Sequence, residues 1–407
     1  MTTRTALIRY FSLREAGVYY ALLLLLAVLA IASAMAGRPN YLSATNLTNI
    51  LDQASLVGIM GVAMTVILIT GNFDLSVASV AALASAVLVG TTDIIGFWPA
   101  LVAALAAAAC VGLLNGIIVQ FLGINAFIVT LGTLTAIRGL VLIVTDGRSL
   151  MVQNPDALIA MTNFESGRVE LYWPLLIAGI FLALAGIAAL LRRRGMRSFP
   201  AVWPFGVAAT GAALVGLALL AGPKISVANP VIYLFTFAFL AWLVLTFTTV
   251  GRRLYAVGGN AEAARLSGIN VNAYKLGAFL LCSIAAGFAG ILFGCRFGAV
   301  NPTALQGGEL TVIAAAILGG TSLFGGAGSV VKTVIGALLL FTLTNGFNIL
   351  NLGANYQGVI EGTVIIVAAA IYTVGGKRRH ARGRDKASGR ATTENTAISA
   401  TPTEDAI

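Results

Sequence analysis

Apolar residues run along this chain in long stretches broken by short polar or charged ones, and the stretch lengths predict membrane-crossing helices. A helix needs roughly 17–25 apolar residues to cross the hydrocarbon of a bilayer. Runs of about that order lie near 16–36, 50–70, 75–90, 98–120, 124–145 and 171–191. A second set lies near 201–221, 228–249, 276–297, 308–321, 328–350 and 356–374. Two of these twelve, 75–90 and 308–321, are short. The expected fold class is all-α, a polytopic membrane protein with some short or broken segments. Trp98 and Trp173 stand at run starts and Trp203 just inside another, where interfacial anchors belong.

The first run, "AGVYYALLLLLAVLAIASAMA", follows Arg4, Arg9 and Arg14 and ends in an A-x-A-like triplet, so a signal peptide is the competing reading. Its 21 residues exceed the roughly 7–15 of a signal-peptide core, which favours an uncleaved span.

Composition agrees with the pattern. Of 407 residues, 58% are hydrophobic and only 10% charged, with a mean hydropathy of +0.94; soluble domains carry about 25% charge. The net charge of +10 comes from basic residues gathered in particular loops. With the N-terminus inside, residues 1–15, "RRRGMR" (192–197), 250–275 and the tail hold 18 of the 25 Lys and Arg. Four (Arg38, Arg148, Arg168, Lys224) fall outside and three within spans. That asymmetry predicts an even number of crossings with both termini cytoplasmic, the basic loops facing anionic lipid rather than nucleic acid. The span-bearing body occupies 16–375, and the basic tail 376–407 has neither periodicity nor bulk and reads as disordered. Cys110, Cys282 and Cys295 lie in apolar runs and the only histidine, His380, in the tail, so neither a disulfide framework nor a metal site is expected.

The longest outward connection, 146–170, carries four acids and two arginines and reads either as a solvated connector or as a dock for a soluble partner.

Two segments break the apolar pattern. Residues 67–80, "ILITGNFDLSVASV", and 317–330, "ILGGTSLFGGAGSV", share Ile, Leu, Ser and Val at matching positions. Each joins a short span to another through glycines and small polar residues: Gly71 in the first, and Gly319, Gly320, Gly325, Gly326 and Gly328 in the second. Paired interruptions in two halves point to a transport pathway at the repeat interface, since irregular backbone in hydrocarbon must line a cavity or pack in protein. An aspartate at the centre of a membrane helix costs about 2.5–3.5 kcal/mol. Asp74 therefore reads as a cap on exposed N–H groups, or as a cap that also shapes a path beside Asn72. The glycine run lacks the lysine a phosphate loop needs, because Gly326 stands in its place.

Residues 250–275, "VGRRLYAVGGNAEAARLSGINVNAYK", are polar and on the positive side. Asn260 is placed to cap a short helix and Gly268 to end it. Such a helix reads as a handle for a motor subunit or as a loop helix on the membrane surface.

"YAVGGNAEAARLSGINV" (255–271) resembles the coupling-loop signature of monosaccharide ABC importer permeases, the ribose/xylose-type branch related to branched-chain amino acid permeases. It holds the EAA-x3-G pattern at Glu262, Ala263, Ala264 and Gly268. "GNFDLSVASV" (71–80) is similar to the family's Gly-Gly-Ile-Asp-Leu-Ser-Val-Gly-Ser segment, departing at Asn72, Phe73 and Ala78. "AAAILGGTSLFGGAGSV" (314–330) resembles the remaining signature, with Ala327 where a basic residue is common, and "NAFIVTLGTLTAIRGL" (125–140) also fits. The resemblance covers about 45–375. Extra material at 171–225, read as a two-span insertion, is similar to the longer xylose-type chains and suggests a pentose.

The resemblance implies a division of labour. A periplasmic sugar-binding protein delivers substrate, and two copies of the permease form the path through the lipid bilayer. A separate ATP-binding subunit docks on Gly259, Asn260, Glu262, Ala263, Ala264, Arg265 and Gly268. ATP and magnesium belong to that partner; this chain is expected to bind no cofactor and to catalyse nothing. Because sugars are neutral, path candidates are polar: Asn72, Asp74, Asn125, Thr130, Thr133, Glu309, Thr321 and Ser322. Arg138, Glu309 and Glu361 either pair structurally or meet substrate. The alternatives are a proton-coupled sugar transporter, recruiting Asp52, Asp74, Glu309 or Glu361 as a titrating relay, and an ABC permease for branched-chain amino acids. No nucleophile–base pair or cofactor fingerprint supports a membrane enzyme.

Overall fold

The computed structural model describes residues 13–192, 202–222 and 226–352, with short helical stretches at 358–359 and 362–363. Residues 13–352 belong to one compact unit; a second, 355–407, is described only at those two stretches. Most of the run predicted at 356–374, Glu361, positions 193–197 and the tail lie outside the described residues.

The other eleven runs are all helices. In chain order they begin with α1 (Leu13–Met35), α2 (Ala44–Ile69), α3 (Val77–Ile95), α4 (Phe97–Phe121) and α5 (Ala126–Val144). A strand β1 (Leu150–Met151), helix α6 (Pro155–Glu165) and strand β2 (Arg168–Glu170) lead to α7 (Tyr172–Arg192) and α8 (Val202–Ala221). Strand β3 (Ser226–Ala228) precedes α9 (Asn229–Phe247), α10 (Thr249–Gly259) and α11 (Ala261–Leu266). The chain continues through α12 (Val271–Phe297), β4 (Ala299–Val300), α13 (Gly308–Leu318) and α14 (Val330–Leu350). Nine helices among the described residues have the length and hydropathy of membrane spans.

Boundaries moved where side chains satisfy backbone groups. The α2 helix starts at Ala44 because Ser43 accepts the Asn46 amide. The run predicted to end at 90 continues to Ile95, ending at Gly96: the Thr91 and Thr92 hydroxyls are satisfied by bonding back to the Val87 and Leu88 carbonyls, so their polarity does not require the helix to stop. The predicted short span is therefore 19 residues long, and only α13, at 11, is truly short.

Helix α2 is the central post, buried along most of its length and packed by α9, α12, α13 and α14. Small residues let its neighbours close up, as membrane packing requires. On α12, Gly290 sits against the Ala81 backbone of α3 so tightly that a Cβ would collide with the Ala81 carbonyl. Across α2 and α14, the Thr65 and Thr333 hydroxyls meet at 2.6 Å.

The 146–170 connection is built rather than loose. Strand β1 pairs with β4 and β2 with β3, both antiparallel. The Asp93 carboxylate accepts the amides of Gln153 and Asn154 just before α6. At the end of α6, buried Glu165 accepts from Arg296 Nε at 2.6 Å, while Arg296 Nη2 reaches Asp52 at 2.8 Å. One guanidinium thus ties α2, α6 and α12 together. From Asp52 to Ile69, α2 runs on for about 26 Å at 1.5 Å per residue. The α6 face and the face where α2 ends are therefore opposite ends of the bundle.

Candidate functional site

At its far end α2 runs into the first break, and the second break meets it there. The Gly326 amide donates to the Ile69 carbonyl at 2.9 Å. Gly71 and Gly325 both have positive φ, 81° and 84°, and a Cβ on Gly325 would lie 2.9 Å from Gly71 Cα. The two interrupted segments are therefore one junction.

Helix α10 closes over it. A Cβ on Gly258 would collide with the Ile69 carbonyl and come 2.8 Å from the Gly326 amide, so this turn of α10 lies directly on both breaks. Beside it, Tyr255 donates its hydroxyl to the Gly328 carbonyl at 3.0 Å. Burial pushes the Tyr255 phenol above its ordinary value, which keeps the donated proton in place. Asn260 then caps α11 by accepting the Ala263 amide, and Gly268, at φ 80°, ends it. Glu262 and Arg265 lie exposed on α11 and form an i,i+3 pair at 3.7 Å. Two apolar side chains stand out on this face, Leu266 at 82% and Phe324 at 92% exposure.

Asp74 does not cap α3 itself, whose N-cap Ser76 makes no side-chain capping bond. Its Oδ1 accepts both the amide and the hydroxyl of Ser76, at 2.8 and 2.5 Å, closing an Asx turn one step before the helix. Its Oδ2 is buried without a partner. The network runs deeper: Asn115 on α4 donates to Ser76 Oγ at 3.0 Å and accepts from Thr133 on α5 at 2.6 Å. Asp74, Ser76, Asn115 and Thr133 thus form a buried polar chain from the first break to α5.

Next to this chain lies a cavity of about 500 Å³ lined by Gly71, Asn72 and Phe73 from the break and Asn125, Phe127 and Ile128 from the start of α5. Asn125 Oδ1 caps α5 by accepting the Phe127 amide, and Asn72 Nδ2 reaches Thr70 Oγ1 at 3.4 Å. The Phe73 and Phe127 rings meet edge to face at 6.0 Å.

The remaining candidates scatter. Thr130 is buried and bonded back to Ala126 within its own helix. In the second break, Ser322 Oγ accepts the Phe324 amide at 3.2 Å, while the buried Thr321 hydroxyl has no partner. Glu309 begins α13, a helix length away from the break, where its charge suits the N-terminal dipole. Arg138 donates to the Ala304 carbonyl at 2.5 Å; among the described residues no ion pair joins it to Glu309.

Sequence reasoning missed Asn115, Tyr255, Gly258 and Phe324. Asn115 left a signal: with Gln120 at the very end, it is one of only two strongly polar side chains in the run 98–120, and the one set deep within it. Gly258 left none, since a helical glycine shows its purpose only when a backbone from elsewhere presses on it.

Compared with known proteins, the chain matches over residues 46–369 a family described as branched-chain amino acid transport system, permease component. It is 35% identical over 373 residues to the ribose import permease protein RbsC of Escherichia coli K12, covering 91% of this chain and 98% of the relative. It is 32% identical over 342 residues to the xylose transport system permease protein XylH of the same organism, covering 81% and 84%. The xylose permease protein of Haemophilus influenzae is 31% identical over 376 residues, covering 88% and 97%. No solved structure matches the chain.

Proposed function

The chain belongs to the family of branched-chain amino acid transport system permease components, and on that premise we propose that it is the membrane-spanning subunit of an ABC importer for a monosaccharide of pentose size. The observation that carries this reading is the seating of α10 on both breaks, through Tyr255 to Gly328 and Gly258 against Ile69 and Gly326. A force applied to α10 and α11 from outside the bilayer is delivered straight to the two places where the membrane helices are interrupted. Leu266, Phe324 and the Glu262–Arg265 pair offer an ATP-binding subunit an apolar and ionic grip on that face. ATP and magnesium stay on that subunit. Its cycle shifts the junction between two states by binding one of them more tightly.

Two copies of the chain form the path in the bacterial inner membrane, and a periplasmic sugar-binding protein delivers substrate to the α6 face. The cavity at the first break suits a neutral sugar. Asn72 and Asn125 supply amide donors and acceptors for hydroxyls, and Phe73 and Phe127 supply apolar surface for the C–H faces. A zwitterionic amino acid would ask this cavity for charges, and its lining side chains carry none. The pentose assignment draws on the ribose and xylose permease relatives.

The test is reconstitution of the full chain with its ATP-binding subunit and binding protein in vesicles, following labelled ribose, xylose and leucine. Pentose uptake is expected only with ATP and both partners, and competition between ribose and xylose identifies the better substrate. Uptake driven by a proton gradient without ATP would favour the symporter instead, with unpartnered Asp74 Oδ2 as its titrating atom. Leucine uptake would favour the amino-acid reading.

A further inference from the structure

On the outer wall of the bundle, beside α10 but away from the sugar cavity, a second opening has a different chemistry. It is a groove of about 460 Å³ between α9, α10 and α12, floored by Val66 of α2. Its walls include Phe237 and Ala241 from α9, Leu254 from α10 and Gly277 from α12. Leu240, Val244 and Val250 on its rim are 53%, 37% and 43% exposed. The only polar side chain among its lining residues is Tyr274, whose hydroxyl accepts from Arg253 Nη1 at 3.2 Å. An apolar groove of this kind is disfavoured in water and favoured against hydrocarbon.

Charge at one end narrows the occupant. Arg252 and Arg253 are exposed in the first turns of α10, and among the described residues neither is in an ion pair. Arg265, the other arginine of this loop, is held by Glu262. Arg253, bonded to Tyr274 of the groove lining, thus stands uncompensated at the mouth of this apolar groove, at the end of the spans where α9 gives way to α10. Guanidinium forks match phosphate oxygens. We propose that this groove holds an acyl chain of an anionic glycerophospholipid whose phosphate rests on Arg253. The chain wedges between α10 and α12, so its presence sets the position of the helix that sits on both breaks. The binding claim stands independently of which solute the protein imports.

Gly277 supplies a clean test. It lies on the groove wall, and a Cβ there would meet no atom within 4 Å, so a longer side chain at this helical position starts in open space and Gly277→Leu is expected to fill the groove. The full-length protein is placed in nanodiscs of equal phosphatidylglycerol and phosphatidylcholine, released and weighed by native mass spectrometry, with thermal melting as the check on folding. Wild type should retain phosphatidylglycerol, and Gly277→Leu should lose it while melting at or above the wild-type temperature. Arg253→Gln should still retain lipid but weaken the preference for phosphatidylglycerol by about five-fold. In the reconstituted importer, replacing phosphatidylcholine by the mixture should change substrate-stimulated ATP hydrolysis in wild type and leave Gly277→Leu unmoved. Equal phosphatidylglycerol retention by Gly277→Leu overturns the proposal. So does a loss of dimer mass with lipid unchanged, which would make the groove a contact between two copies of the chain.

Discussion

Gly258 and Gly259 are chemically identical neighbours with opposite surroundings. A Cβ on Gly258 would strike the Ile69 carbonyl, whereas one on Gly259 would meet nothing within 4 Å. Gly258→Ala should therefore lift α10 off the junction, costing about 1–3 kcal/mol as overpacking against unyielding backbone. Gly259→Ala should leave coupling intact. The measurement is substrate-stimulated ATP hydrolysis in the reconstituted importer, with melting temperature beside it; equal behaviour of the two variants would remove Gly258 from the coupling contact. The polar chain yields a second contrast. Asp74→Asn keeps the Oδ1 acceptor for both Ser76 bonds and alters only the unpartnered oxygen, so stability should hardly change. Asn115→Leu strips a donor from Ser76 and an acceptor from Thr133, and should destabilise by about 1–3 kcal/mol because both remain buried or half-buried. Thermal melts of the two purified variants rank them, and the reverse order would show that Asp74, not Asn115, anchors the chain. At this scale the sequence marked residue types better than partners. Asn72 and Asn125 were conspicuous as amides in apolar runs, but only the fold shows that they line one cavity. Asp74 looked like a helix cap, and the turn at Leu75–Ser76 placed it one step earlier.

Helices were legible because run length and hydropathy are properties of a single segment, whereas ribbons and loop helices depend on partners far away in the chain. Eleven apolar runs became helices within six residues of the expected bounds, while α6 and both strand pairs had no comparable signal; α10 shows Val250, Leu254 and Val257 at helical spacing but is too short and polar to form an apolar run. The β2–β3 pair changes how the 171–225 segment is understood. Its register sets Glu170 opposite Ser226, so the chain leaves and re-enters the bundle at one point. Between those residues α7 and α8 pack closely on each other, with Gly186 against the Ala208 backbone and Gly211 against that of Ala183. The pair thus has the geometry of an appended hairpin on a two-stranded stem. Replacing 171–225 by Asn-Gly should close β2 and β3 as a two-residue hairpin. Insertion, gel-filtration profile and ATP-driven uptake per inserted molecule should stay within about two-fold of wild type, a span of roughly 0.4 kcal/mol. Collapse of the folded fraction would instead show that α7 and α8 are structural members of the permease body.

Across the whole molecule, charge and geometry make one claim about direction. Arg252, Arg253 and Arg265 lie on the face where the breaks meet α10, and Arg148 and Arg168 lie with α6 at the opposite end of α2. Counted over the full chain, 18 of 25 basic residues fall on the side of the first face if the N-terminus shares it. The positive-inside rule then predicts α10 and α11 on the cytoplasmic side and α6 on the periplasmic side. Single cysteines report this directly once the three native cysteines, of which Cys110 is exposed, are replaced. Asp156→Cys opens α6 and Glu262→Cys sits on exposed α11, so each should be labelled freely whenever the reagent reaches its side. In intact cells an impermeant maleimide should label the first and spare the second, and permeabilisation should expose both. Labelling of position 262 from outside would invert the molecule, set its coupling face away from any cytoplasmic ATPase, and break the importer reading at its base.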